Sequence, residues 1–298
     1  MTGAPVILNG LKDVAARYDA LLCDVWGVVH NGRAVFPGAE AALTGFRKER
    51  GPVILLTNAP RPAHIIPAQL DRLGLPREAY DAVVTSGDAT TAELASRGDL
   101  KAFKIGPDKD EELYRGLTPN FVELGEADYI ICTGLYDDIA EQPDDYRPLL
   151  QDAAARKLPM LCANPDIIVK FGDRTLWCAG ALADIYAQLG GEVIFTGKPH
   201  KPIYDLAYKR IAEITGAPVS KERILAVGDG LGTDIAGANA EGLDVIFIAD
   251  GIHGGPARND AGRLDPRKLK AMFAEEGRRA LGALEQLRWT AQRGAEAT

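Results

Sequence analysis

Four apolar runs in this chain end on polar residues whose types suit one chemistry. Asp24 follows Leu21-Leu22-Cys23, Thr57 and Asn58 close "PVILLTN", Lys198 follows "EVIFTG", and Asp229 ends "RILAVGD". A carboxylate at the exit of a buried strand is costly unless a cation, a hydrogen-bond shell or a reaction keeps it there. Asp234 adds a third acid five residues beyond Asp229. Brought together, Asp24, Asp229 and Asp234 repel one another unless a positive ion sits among them. Oxygen ligands with no His or Cys nearby in sequence favour Mg²⁺ over zinc, and Mg²⁺ usually binds a few carboxylates plus a substrate phosphate. Lys198 then supplies charge to a phosphate and the Thr57 hydroxyl a directed hydrogen bond. Such parts suit phosphoryl transfer, where catalysis is mostly positioning and charge neutralisation. Asp24 is the natural nucleophile, because a carboxylate can accept the phosphoryl group.

The glycine-rich stretch "ILAVGDGLGTDIAGANAEG" (224–242) has the strand, turn and helix start of a dinucleotide-binding loop. It fails that fingerprint, since Thr233 holds the third glycine position after Gly228 and Gly230. Asp229 and Asp234 would also repel a pyrophosphate at that helix start. No G-x-x-x-x-G-K-[ST] loop exists either. The two acids can cap helix amides and bind a metal at once.

These residues need a frame. Strand-length apolar runs at 20–25, 52–57, 81–85, 192–197, 223–229 and 243–249 alternate with helical patterns at 38–50, 62–73, 88–97, 200–215 and 233–241. That alternation predicts an α/β fold with a doubly wound parallel sheet covered on both faces. Ligands collect at the carboxyl ends of such strands, where Asp24, Thr57, Asn58, Lys198 and Asp229 stand. Further strands at 102–106, 128–134 and 159–166, with a helix near 145–157, predict a second α/β domain at 86–184. It is inserted into a core domain of 1–85 and 185–298. A last helix is expected over about 266–290, packed on the core.

The 298 residues suit two domains. Composition is that of an ordinary soluble protein, with 46% hydrophobic and 26% charged residues. A net charge of −8 disfavours nucleic-acid binding. Cys23, Cys132, Cys162 and Cys178 show no C-x-x-C spacing and read as buried, reduced thiols. The N-terminal sequence has no signal-peptide pattern, and no apolar run reaches membrane-spanning length. A cytoplasmic protein without a membrane partner is expected.

The order D-x-x-G after a strand, "LLTNAPR", "GKPHKPIYDLA" and "GDGLGTDI" resembles the haloacid dehalogenase-like (HAD) phosphohydrolase superfamily. "TNAPR", "ANPD" (163–166) and the insert between the threonine and lysine motifs resemble its class IIA, sugar-phosphatase-like or 4-nitrophenyl-phosphatase-like branch. The likeness covers the chain to about residue 250. It implies a Rossmann-like core with a mobile cap, Mg²⁺, and a small phosphorylated metabolite as substrate. It further implies Asp24, the backbone carbonyl of Trp26 and Asp229 as metal ligands, with Asp234 supporting the metal shell. Thr57, Asn58 and Lys198 would hold the phosphate, and Gly27 would let the chain turn into a flap bearing His30. The same resemblance allows a homodimer.

One position departs from the pattern. Phosphatases of this superfamily usually carry a second aspartate two residues after the nucleophile, to protonate the leaving oxygen and then activate water. Here Trp26 stands there and can do neither. General acid–base catalysis is worth about 10²–10⁴-fold, so alkyl phosphates should suffer most and aryl or acyl phosphates least. His30 and Asp166 are the candidate substitutes; Asn164 and Asp166 also fit an Asx turn. Two alternatives follow: a phospho-ligand-binding or regulatory protein with little turnover, and a phosphotransferase that passes the group to an acceptor other than water.

Overall fold

The computed structural model describes residues 5–172 and 174–291. In chain order its strands are β1 (Val6–Ile7), β2 (Ala20–Cys23), β3 (Val53–Thr57), β4 (Ala82–Thr85), β5 (Lys101–Ile105), β6 (Asn120–Phe121), β7 (Tyr129–Cys132), β8 (Met160–Cys162), β9 (Ile168–Phe171), β10 (Arg174–Trp177), β11 (Val193–Phe195), β12 (Ile224–Gly228), β13 (Asp244–Ile248) and β14 (Gly282–Leu284). The chain folds as two compact units. One comprises the segments up to Leu56, Ala68–Ala82 and from Ala207 onward; the other comprises Thr57–Pro67 and Val83–Leu206.

In the first unit, neighbouring strands run β1-β14-β13-β12-β2-β3, all paired in parallel. Parallel strands joined by helices are covered on both faces, so their residues can be apolar without alternation. Every residue of β2 and β12 is accordingly buried. Helix Ala39–Glu49 buries Ala39, Ala42, Leu43 and Phe46, the i, i+3, i+4, i+7 stripe of a one-sided helix. Phe46, Leu21, Leu22, Ile54, Leu55 and Phe247 have under 2% of their surface exposed, each contributing roughly 1.5–3 kcal/mol by leaving water. Phe273 meets Phe247 edge to face with centroids 5.5 Å apart, seating helix Pro266–Glu275 in this unit. Register then sets the site: Val227 pairs with Cys23, so Asp24 stands level with Gly228 and one residue short of Asp229.

The second unit carries its own parallel sheet, ordered β11-β8-β7-β5-β6, and an antiparallel hairpin of β9 and β10. Ile130, Met160, Leu150, Leu182 and Tyr186 form one side of its core; Ala102, Leu113, Ile131 and Leu161 form the other. Strand residues Ile130 and Ile131 thus face opposite covering layers, as a doubly wound sheet requires.

The sheets divide the chain differently from the expected boundaries at 86 and 184. Strand Val193–Phe195, expected in the core, pairs with Met160–Cys162 instead, and the second unit extends to Leu206. A short apolar run identifies a strand but not which sheet accepts it. The helix expected over 266–290 ends at Glu275. Gly277 turns the chain with φ +60°, and Gly282–Leu284 becomes β14, with Ala283 and Leu284 fully buried. The helix expected at 233–241 begins as one wide turn, Leu231–Ile235, before Ala236–Glu241. Helix Ala179–Gln188 and the β9–β10 hairpin are further elements that periodicity did not reveal. All four cysteines are buried and form no disulfide, as expected. No helix among the described residues is long and apolar enough to cross a membrane.

Candidate active site

Asp24, Asp229 and Asp234 meet at the carboxyl ends of β2 and β12. Each offers a carboxylate oxygen within 4.8 Å of the others, and their exposures are 7%, 2% and 7%. The backbone holds them there. Asp24 N–H donates to Val227 O at 2.9 Å, continuing the β2–β12 ladder by one residue. Asp229 Oδ2 accepts from the Ile252 N–H at 2.9 Å. Asp234 folds back from its wide turn so that Oδ2 accepts from Gly230 N–H at 3.0 Å. That bond closes the turn; Asp234 is not the cap of the following helix.

Glycines make room for this packing. A Cβ on Gly27 would lie 2.2 Å from Asp229 Oδ2, and one on Gly251 only 1.9 Å from the same atom. Gly27 also has φ +87°, a left-handed backbone conformation that glycine adopts without strain. A Cβ on Gly228 would strike Asp234 Cγ at 2.2 Å. Three buried like charges at these separations destabilise one another unless a cation offsets them. The all-oxygen donor set, with no His or Cys in the cluster, fits a hard divalent ion such as Mg²⁺. Gly251 and Ile252 are site residues that the motifs missed. Their only local signal is the glycine-rich "DGIHGG" after β13.

Trp26 is half-buried and meets the His30 ring edge to face, centroids 5.0 Å apart and planes at 71°. His30 itself is 1% exposed. Its Nδ1 accepts from Gly32 N–H at 3.0 Å, which leaves the ring's proton on Nε2. Burial pushes its pKa down to about 4, so the ring is neutral at pH 7 and a poor general acid. No second acid stands at position 26, and the nearby His30 is not charged to replace it.

Thr57, Asn58 and Lys198 belong to the second unit. The Thr57 hydroxyl accepts from Ala59 N–H at 3.2 Å and keeps its own proton to give. Asn58 is buried and fully engaged: Nδ2 donates to Asp166 Oδ1 at 2.8 Å and to Lys198 O at 3.2 Å, while Oδ1 accepts from Lys198 N–H at 2.7 Å. Its side chain therefore holds the backbone of Lys198 instead of standing ready for a phosphate. Asp166 N–H donates to Asn164 Oδ1 at 3.1 Å, the expected Asx turn. Gly197 permits this contact, because a Cβ there would lie 2.5 Å from Asn58 Oδ1. Lys198 is 2% exposed. The Thr196 hydroxyl, bonded to Thr90 at 2.7 Å and Ser86 at 3.1 Å, pins the strand exit leading to it. The residues singled out in the sequence thus form two groups, three acids in one unit and the Thr57–Asn58–Lys198 set in the other.

Residues 21–118 match the family model for haloacid dehalogenase-like hydrolases, and residues 195–269 match a second, HAD-hydrolase-like model. A haloacid dehalogenase-like hydrolase from Brucella suis is 47% identical, with 94% of this chain and all of that one covered and a TM-score of 0.84. The D-glycerol 3-phosphate phosphatase of Mycobacterium tuberculosis is 28% identical over 254 residues. That match covers 82% of this chain but spans 66% of the relative's length. The ribonucleotide monophosphatase NagD of Escherichia coli is 26% identical over 243 residues, 78% of this chain and 88% of that protein. With the acids at the strand ends and relatives of this similarity, the chain belongs to the haloacid dehalogenase-like hydrolases.

Proposed function

We propose that the protein is a Mg²⁺-dependent phosphohydrolase acting on a small phosphorylated metabolite. The observation that carries this reading is the buried meeting of Asp24, Asp229 and Asp234 at adjacent strand ends. Asp24, Asp229 and the Trp26 carbonyl would hold Mg²⁺, with Asp234 supporting them. When bound, the ion offsets the negative charge of the acids and the phosphoryl group. An Asp24 carboxylate oxygen bonds to phosphorus as the bond to the leaving oxygen breaks, giving an aspartyl-phosphate. Water then attacks that phosphorus, the bond to Asp24 breaks, and inorganic phosphate leaves. Lys198 and the Thr57 hydroxyl hold phosphoryl oxygens, while Asn58 keeps Lys198 in place. The inserted part of the chain acts as a cap that excludes water and reads the leaving group. The class IIA resemblance and relatives named for glycerol phosphate and ribonucleotides favour a sugar or polyol phosphate.

Trp26 favours a second reading, a phospho-ligand-binding protein with little turnover. The test is phosphate release from 4-nitrophenyl phosphate with Mg²⁺, with chelator, and in Asp24→Asn. The phosphatase reading expects turnover that chelation abolishes and that Asp24→Asn lowers by at least about 10³-fold, corresponding to about 4 kcal/mol. Near-parental turnover in Asp24→Asn overturns the nucleophile assignment. Phosphate-dependent thermal stabilisation without release, across aryl and acyl phosphates, favours the second reading.

A further inference from the structure

The stretch "ANPD" (163–166) has no part in the chemistry proposed for Asp24, yet it packs against the approach to Lys198. Three segments of the second unit converge on Gly197, the residue before that lysine. A Cβ there would lie 2.5 Å from Asn58 Oδ1, 2.7 Å from Ser86 Oγ and 2.8 Å from Pro165 Cδ. Asp166 is braced on both sides of its own backbone. Its N–H closes the Asx turn on Asn164. Its carbonyl accepts from Gly180 N–H at 3.1 Å, where helix Ala179–Gln188 begins. Glycine is required there, because a Cβ on Gly180 would lie 2.3 Å from Pro165 O and 2.5 Å from Asp166 O. A braced turn thus delivers the Asp166 carboxylate to Asn58.

The two ends of an asparagine amide differ little in shape, so the groups around it decide which way it faces. A carboxylate has no hydrogen to give, so Asp166 Oδ1 accepts only the amino end of Asn58, at 2.8 Å. That choice leaves Asn58 Oδ1 for Lys198 N–H at 2.7 Å and the other amino hydrogen for Lys198 O at 3.2 Å. The amide thus grips both polar groups of the Lys198 backbone, as a neighbouring strand would. Turned over, it would set hydrogens against Lys198 N–H and its oxygen against Lys198 O and Asp166, losing all three bonds. Asn58 and Lys198 are each 2% exposed, so little water is at hand to replace them. A lysine ammonium is a point charge on a flexible stem, useful only where its backbone aims it.

We propose that Asp166 is a positioning residue for phosphate binding: it sets the orientation of the Asn58 amide and, through it, the aim of the Lys198 ammonium. The inference rests on the reading of Lys198 as a phosphate holder and adds a residue that acts through another. Asp166 serves here as a hydrogen-bond acceptor, a task different from delivering the proton that position 26 lacks.

The experiment measures the Kd of inorganic phosphate by thermal shift in the presence of Mg²⁺, beside turnover of 4-nitrophenyl phosphate. Asp166→Ala raises that Kd about tenfold or more, as expected when a hydrogen bond to a charged group is lost. The near-isosteric Asp166→Asn still offers an oxygen but also hydrogens, and raises it less, by about threefold. kcat/KM falls in the same order. Half-saturation of the thermal shift by Mg²⁺ alone stays within about twofold of the parent's, because the three acids stand in the other unit. In an Asn58→Ala or Lys198→Met background, whichever folds, Asp166→Ala changes the phosphate Kd by less than about twofold, since the path it acts through is gone. A phosphate Kd within about twofold of the parent's in Asp166→Ala, or in Asp166→Asn where the alanine variant does not fold, overturns the proposal. So does an undiminished effect in those backgrounds, or an equal loss of the Mg²⁺ response, which marks a purely structural role. A parent that neither binds phosphate nor releases it from 4-nitrophenyl phosphate overturns the reading of Lys198 as a phosphate holder, and the proposal with it. A parent that does both keeps that reading whatever Asp166 shows.

Discussion

Gly27 faces Asp229 so closely that a methyl group on its Cα would lie 2.2 Å from Oδ2. The glycine that follows Trp26 and the acid at the end of β12 are thus one packing unit, although they come from distant stretches of the chain. Gly251 closes on the same oxygen, at 1.9 Å for an added Cβ. The acid is therefore aimed by two glycines as well as by the Ile252 N–H.

Gly27→Ala and Gly251→Ala should each displace the Asp229 carboxylate. The expected result is a folded protein whose 4-nitrophenyl phosphate turnover falls at least about tenfold and whose thermal stabilisation by Mg²⁺ is lost. Gly27→Ala also places a side chain at φ +87°, costing about 1–2 kcal/mol of stability. Parental turnover together with parental Mg²⁺ response in both variants would falsify the cradle.

Repulsion among the acids predicts opposite effects of one substitution with and without metal. Asp234→Asn keeps an oxygen for the Gly230 N–H and removes one of three charges. Two charges within 4.8 Å of one another at an effective dielectric near 20 repel by about 3 kcal/mol or more, of which solvent and relaxation leave a fraction. The metal-free Asp234→Asn variant should melt at a higher temperature than the parent, and its Mg²⁺-induced rise should shrink. Thermal melts with chelator and with Mg²⁺ check both signs.

Trp26 and the neutral His30 predict a steep dependence on leaving group. Rates across a series of aryl and alkyl phosphates should fall as the leaving oxygen becomes more basic, because no acid at position 26 protonates it. Trp26→Asp should recover part of the alkyl rate, offset by the void left beside the His30 ring. A flat dependence with chemistry rate-limiting means that another group delivers the proton.

Asp110 predicts a pH-dependent stability term. Burial pushes its carboxyl up to about 6, opposed first by Arg61 and then by Lys109 and Thr133, with Asp138 adding to the rise. A raised carboxyl pKa means that the folded state binds the proton more tightly than the unfolded chain. Its contribution is therefore most favourable below about pH 4 and is lost as pH climbs to about 6, by roughly 3 kcal/mol in all. Denaturant unfolding of parent and Asp110→Asn should show the variant gaining on the parent across that window, with the difference steady above it. A constant difference from pH 4 to 7 refutes the shift.

Much of the site was legible because its signals are local. Asp24, Asp229 and Asp234 each follow an apolar strand or a glycine turn within a few residues, so type and position could be read without knowing the fold. The same holds for the Asx turn at Asn164. Asn58 was harder: its type suits a phosphate ligand, but its hydrogens go to Asp166 and Lys198, 108 and 140 residues away. No local pattern carries that information.

The alternation of strand and helix and the acids at strand exits could be read from the chain, because each depends on residues adjacent in it; the missing carboxylate at position 26 was legible only against the pattern of the family that the chain resembles. Sheet membership could not. Val193–Phe195 joined the inserted sheet, and Gly282–Leu284 left a helical pattern to fill the slot between β1 and β13. Packing also brought Gly251 and Ile252 up to aim Asp229. Those outcomes depend on which distant surfaces bury each other best, and periodicity records only that a face is apolar, not what will cover it.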